Sequence, residues 1–198
     1  MLRYGHLICL LEIMLAKLEH IRYVPHYIEL IAGKPRYQPS INRHAIDGVP
    51  QIFWADCKPW REANLWAVER VSIGDVSLRT VASNMNGLLN YANFLEQHEL
   101  HWLTFPVRKA DRCLVRYRGA LIKMRDSGQL SPSTASEYMR NSVMFYRWIK
   151  AKGLLSPDLP LWRDKPYFLT YFDQVGLERS LNGGTTDIGI PNRARLGE

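Results

Sequence analysis

The side chains of this 198-residue chain whose type and spacing could do chemistry are arginines, lysines, short hydroxyls and amides. On a helix advancing 100° per residue, Ser133, Ser136, Glu137, Arg140, Met144 and Arg147 share one outer face. Hydroxyls beside guanidinium groups suit phosphate oxygens and base edges. Arg can span guanine O6 and N7, and a Ser in the first helical turn adds a donor where backbone amides are already unsatisfied. A second ridge, Arg112, Arg116 and Lys123 with Lys109 beside it, lies opposite Ala110, Leu114 and Leu121. A third face carries Ser83, Asn86, Asn90, Asn93 and Gln97. Each Asn costs a helix about half a kcal/mol relative to Ala, so a row of them points to a task for amides, such as pairing with adenine N6 and N7 or donating to phosphates.

Each face also has a plainer reading. A Lys/Arg ridge is commonly only a solvated surface, and so is a row of amides. The coincidence of three such faces in one short stretch, two of them basic, favours a polyanionic partner. Enzymatic signatures are missing. The sequence holds no Gly-rich phosphate loop, Gly-x-Ser-x-Gly or His-Glu-x-x-His pattern, and no EF-hand spacing. His98 and His101 straddle a predicted helix end without a third ligand, so no metal or cofactor is expected. The carboxylates are scattered rather than paired for acid–base or two-metal work.

Charge supports the same reading. The net charge is +7, with 46% hydrophobic and 23% charged residues, which excludes collagen, coiled coil and disorder. Segment by segment, residues 1–60 carry +2, 61–105 carry −2, 106–165 carry +8 and 166–198 carry −1. A compact basic stretch in a near-neutral chain favours nucleic acid over a membrane, because no lipid-seeking segment accompanies it. The apolar run Leu7 to Leu18 is interrupted by Glu12 and Lys17 and has no small-residue cleavage site, so a buried amphipathic helix is expected there rather than an export signal. Cys9, Cys57 and Cys113 lack paired spacing and are expected to be reduced, buried thiols. A cytoplasmic or chromosome-associated protein follows.

The elements that must position these faces are mostly helical, and the chain is expected to be mainly α. A helix is predicted over Leu2 to Ile21, followed by an irregular Pro-rich part that admits short strands at Tyr27 to Ile31 and Val49 to Trp54. Four helices follow. The first spans Pro59 to Val71 and is stopped by Gly74. The second spans Ser77 or Thr80 to His98, with Val81, Met85, Leu88, Ala92 and Leu95 inward. The third runs from Pro106 to Ser127, with Ala110, Leu114, Tyr117, Leu121 and Met124 inward and Gly128 as its cap. The fourth, opened by Ser131-Pro132-Ser133-Thr134 and closed by Gly153, turns Tyr138, Ser142, Phe145 and Ile149 inward. The six tryptophans, 54, 60, 66, 102, 148 and 162, read as core anchors. Beyond Pro157 the chain reads as irregular, and Asn182 to Thr186 with Ile190 to Arg193 as linker or tail. This divides the chain into 1–58, 59–156 and 157–198.

Ser77 to Thr80, Leu88-Leu89-Asn90-Tyr91-Ala92-Asn93-Phe94-Leu95, Thr134 to Tyr138, Phe145-Tyr146-Arg147-Trp148 and Gly153-Leu154-Leu155 resemble, in order and spacing, the SAM-like core-binding domain of tyrosine recombinases and phage integrases. Residues 47–70 are similar to the gamma-mobile-trio type found on bacterial mobile islands. The resemblance covers about Trp60 to Leu155. It implies a four-helix module forming half of a clamp on double-stranded DNA, with the second and fourth helices presenting Asn86, Asn90, Asn93, Ser133, Ser136, Arg140 and Arg147, and with other recombinase protomers as partners. Val143 departs from the family, many of whose members carry Arg there. In such recombinases a separate domain supplies Arg, His-x-x-Arg and a nucleophilic Tyr. None of the six histidines here is followed by that Arg, so the sequence is expected to lack the catalytic half. If about five phosphates are neutralised, log K should fall with log[salt] at a slope of about −4 to −5. The alternative is a helical interaction or multimerisation domain that docks through Met144, Trp102 and Phe94.

Overall fold

The computed structural model describes residues 15–40, 43–74, 76–172 and 177–191, with only the backbone described at 167–172 and 178–183. Six strands and four helices follow one another: β1 (Lys17–Tyr23), β2 (His26–Ile31), β3 (Lys34–Pro39), β4 (Ile46–Phe53), α1 (Arg61–Ile73), α2 (Leu78–Gln97), α3 (Cys113–Asp126), α4 (Pro132–Ala151), β5 (Asp164–Phe172) and β6 (Glu178–Thr186). The strands form three antiparallel two-stranded sheets, β1–β4, β2–β3 and β5–β6. The expectation of a mainly α chain is therefore corrected to a mixed α/β fold. The predicted helix over Leu2 to Ile21 is corrected where it can be seen: Lys17 to Ile21 is strand, and residues 1–14 lie outside the described residues.

Local chemistry explains the helix ends. Ser77 and Ser131 cap α2 and α4, their hydroxyls accepting the amides of Thr80 and Thr134 at 3.2 and 3.1 Å, and Pro132 occupies the first turn of α4, where its missing N–H costs nothing. Gly74, with φ of +80°, ends α1. The third helix begins at Cys113 rather than Pro106. Residues 106–112 instead form a loop with one 3-10 turn, and the Arg112 guanidinium bonds the carbonyls of Pro106 and Val107 at 3.1 and 3.2 Å, satisfying acceptors that a helix would have used. Ala110 is consequently exposed.

The four helices close over one core. Met85, Leu88, Leu95, Leu114, Leu121, Phe145 and Ile149 are completely buried, and Trp60 and Trp66 anchor α1 against Phe145. Ile52 of β4 joins this core, with Leu18 of β1 in register with it and packed against the same cluster. Asn64 secures the junction. Its side chain accepts the Ile52 amide at 2.7 Å and donates to the Ile52 carbonyl at 3.0 Å, so a helix side chain serves as the missing neighbouring strand.

Two buried polar chains fix how the helices meet. Arg70 of α1 donates to Asn84 of α2 at 2.8 Å, and Asn84 donates to Asn141 of α4 at 2.8 Å. The Asn141 amide lies against Gly87, where a Cβ would approach its nitrogen to 2.4 Å. In the second chain, the Tyr91 and Tyr146 hydroxyls are 2.9 Å apart, and Tyr146 donates to the Trp102 carbonyl, which also accepts Cys113 Sγ at 3.4 Å. Burial pushes Tyr91, Tyr146 and Tyr117 well above the usual phenol range and raises the Cys113 thiol. Cys57, expected to be buried, is exposed, and Cys9 lies outside the described residues.

The stretch read as linker is a hairpin with a packed end. Residues 182–186 belong to β6, in register with 164–168 of β5, and Leu161, Ile188 and Ile190 are buried in the helical core. Gly183 and Gly184, the residues that suggested a tail, sit opposite Tyr167 and Pro166 in the ladder.

Candidate nucleic-acid interface

The central element is α2, whose outer row is joined on both sides by residues of other helices. Toward its N-terminal end, Ser83 donates to Glu137 of α4 at 3.2 Å, and Arg140 follows one turn along, its guanidinium 4.0 Å from Glu137. Toward its C-terminal end, Asn90, Asn93 and Gln97 line a groove shared with Lys123 and Met124 of α3. Ser83 through Gln97 spans about 21 Å at 1.5 Å per residue.

The amides differ in what remains available. Asn86 is exposed and makes no hydrogen bond among the described residues, so both halves of its amide are free. Asn90 is half-buried and its carbonyl oxygen accepts the Tyr117 hydroxyl at 2.8 Å; two-point pairing with adenine would have to share that oxygen. Asn93 is half-buried with its Oδ1 enclosed and without a donor. Reading by amides therefore narrows from three residues to Asn86.

The basic residues also divide. Arg116 and Lys123 are exposed and pair with nothing among the described residues. Arg140 is exposed and only loosely held. The other three expected contacts fasten the C-terminal segment. Lys109 meets Asp187 at 2.6 Å, Arg112 donates to the Pro160 carbonyl at 2.8 Å, and Arg147 meets Asp164 at 2.8 Å while its guanidinium lies 5.9 Å from the Trp162 ring centre. Burial raises the Asp187 carboxyl, but hydrogen bonds from Lys109 and the Arg163 amide, with the charges of Lys109 and Lys165, outweigh it and hold the group below the usual carboxylate range.

At the start of α4, Ser133 is exposed, its hydroxyl 2.9 Å from that of Ser131. Ser136, Arg140 and Arg147 are brought together along one groove of about 210 Å³, whose opposite wall is Thr185, Gly189 and Ile190. The hairpin end thus covers part of the face expected to be free. This wall is not legible from residue types, because the partners of Lys109 and Arg147, Asp187 and Asp164, lie in a stretch that reads as tail.

Two residues of the interaction alternative are in the core: Phe94 is 7% exposed and Trp102 8%. Val143 is also buried, packed in the core cluster. Among the described residues there is no group of three or more side chains able to hold a metal ion, and no helix long and apolar enough to cross a membrane. No family model matches the chain, and neither a curated protein nor a solved structure matches it.

Proposed function

We propose that the chain is a double-stranded DNA-binding module that positions a site-specific tyrosine recombinase on its recombination site, acting with other protomers on a bacterial mobile element in the cytoplasm. The observation that carries this reading is the continuity of one outer surface, in which Arg140, Ser83, Asn86, Asn93 and Lys123 follow one another across three helices. Arg116 and Lys123 are cations without internal partners, and Ser133 and Ser136 add hydroxyl donors at the start of α4. Affinity would come from the cations and base preference from Asn86 and Arg140. The resemblance of residues 60–155 to core-binding domains gives the reaction context.

Because Lys109, Arg112 and Arg147 are engaged within the fold, three free cations remain in the set. The expected salt slope falls to about −2.7 from the −4 to −5 that the sequence suggested. Fluorescence anisotropy with labelled duplex across a salt series measures it. A slope near that value, and uniform weakening on all duplexes by Arg116→Glu, support the proposal. Undetectable or salt-insensitive association removes it.

Protein interaction stands as a second reading because of one observation away from the helices. Ile28, Leu30 and Tyr37 share one face of the β2–β3 hairpin and are 61%, 72% and 72% exposed. Sedimentation without DNA tests it: self-association abolished by Leu30→Lys favours this reading, and a monomer that binds duplex favours the first.

A further inference from the structure

Residues 160–164 lead from α4 into β5 and are fastened at several points. The Pro160 carbonyl accepts the Arg112 guanidinium at 2.8 Å, Leu161 is buried in the helical core, and the Arg163 amide donates to Asp187 at 2.9 Å. Asp164 Oδ1 accepts both the Trp162 indole N–H at 3.2 Å and the Arg147 guanidinium at 2.8 Å. The indole is thereby oriented without being enclosed: Trp162 is half-buried and borders two grooves.

Both grooves are basic. One, of about 450 Å³, has Lys109, Arg112 and Arg163 in its walls, and the other, of about 170 Å³, has Arg147 and Lys150. Each also holds one carboxylate, and each carboxylate is already paired, Asp187 with Lys109 at 2.6 Å and Asp164 with Arg147 at 2.8 Å. Arg163 and Lys150 are exposed, and their side chains pair with nothing among the described residues. The half-exposed ring therefore has one free cation in each groove beside it.

An aromatic ring between cations matches a nucleotide in a single strand, where a base lies between two phosphates and its face is open to stacking. A duplex does not satisfy the ring, because paired bases stack on one another. An acidic polypeptide would meet the cations and leave the indole without a planar partner. Because the ring is already fixed, stacking on it costs little ordering entropy. We infer that Trp162 is a stacking platform for an unpaired base of single-stranded nucleic acid, with the flanking phosphates on Arg163 and Lys150. Arg147 also borders the groove of Ser136 and Arg140, so the platform adjoins the duplex-facing surface. The inference adds a single-stranded ligand to the duplex reading and rests on that reading only for the kind of polymer.

The test is fluorescence anisotropy of the full chain with a labelled strand of about ten thymidines, set beside an abasic strand of equal length and phosphate charge. The thymidine strand should bind about tenfold more tightly. Trp162→Leu should erase that preference. Replacing Arg163 and Lys150 by Ala, both on the surface, should weaken both strands and flatten the single-strand salt slope by about 1.4. Equal binding of the two strands by the wild-type chain, displacement of the thymidine strand by polyglutamate as readily as by unlabelled thymidine strand, or an unchanged slope in the double variant would overturn the assignment. The double variant and the comparison of strands decide the matter even where Trp162→Leu fails to fold. Duplex binding measured alongside separates the two readings, since loss of base preference with duplex binding intact refutes the platform alone.

Discussion

Gly87→Ala probes the closest approach of α2 and α4. A Cβ at position 87 would lie 2.4 Å from Asn141 Nδ2, 3.1 Å from its Cβ and 3.2 Å from its Cγ. Rotating the Asn141 amide relieves only the first contact. The Cβ contact is set by the backbone of α4, so the helices must separate or the side chain must leave its site. Overpacking of this kind costs about 1–3 kcal/mol. Displacing Asn141 breaks its bond to Asn84 and leaves enclosed polar groups unpaired, at about 1–3 kcal/mol more. The gain in helix propensity returns about 1 kcal/mol. The net expectation is a destabilisation of about 1–5 kcal/mol, measured by urea unfolding followed by circular dichroism. Gly119→Ala supplies the control, since nothing lies within 4 Å of its Cβ in α3; it should stabilise by about 0.5–1 kcal/mol. The double variant Gly87→Ala with Asn141→Ala should lose less than the two single losses combined, by at least about 1 kcal/mol, because the second change removes what the first collides with. If Gly87→Ala behaves like Gly119→Ala, the close packing of α2 on α4 is wrong.

Three further outcomes follow from the same structure. Asn64→Ala should cost about 1–3 kcal/mol in urea unfolding, because the Ile52 amide is left enclosed without an acceptor; a neutral result would detach β4 from α1. The buried phenols of Tyr91, Tyr117 and Tyr146, raised above their unfolded values, stabilise the chain fully below about pH 10, and stability falls as pH rises toward their folded values, by about 4 kcal/mol per pH unit if all three remain protonated. Tyrosinate absorbance and loss of helical signal should therefore rise together in an alkaline titration, and early titration of all the tyrosines in a still-folded chain would contradict their burial. Arg140→Ala should relax base preference at one position of the bound duplex, read by competition among variant duplexes, and preference unchanged would remove Arg140 from base reading.

What the sequence made legible was local. Ser77, Ser131 with Pro132, and Gly74 mark helix ends through chemistry contained within a few residues, and the inward stripe of α2 follows from period alone. Long-range pairing was not legible. Nothing near Lys17 announces that it lies in a strand whose partner is Phe53, and Asn64 looks like any helical amide until Ile52 is beside it. The hairpin at 164–186 was missed because its glycines are turn signals by composition, whereas pairing gives them an extended role. The candidate surface was half legible for the same reason. A helical wheel finds Lys109, Arg112 and Arg147 on outer faces, but their partners, Asp187, the Pro160 carbonyl and Asp164, arrive from distant sequence and take those cations out of play.

The most direct measurement is the salt dependence of duplex binding by a variant in which Arg116, Lys123 and Arg140 are all replaced by Ala, set beside one in which Lys34 and Arg36 of the β2–β3 hairpin are replaced instead. The slope is expected to collapse toward zero in the first and to stay near −2.7 in the second. A slope preserved in the first and lost in the second would place any DNA contact on the hairpin and contradict the helical surface.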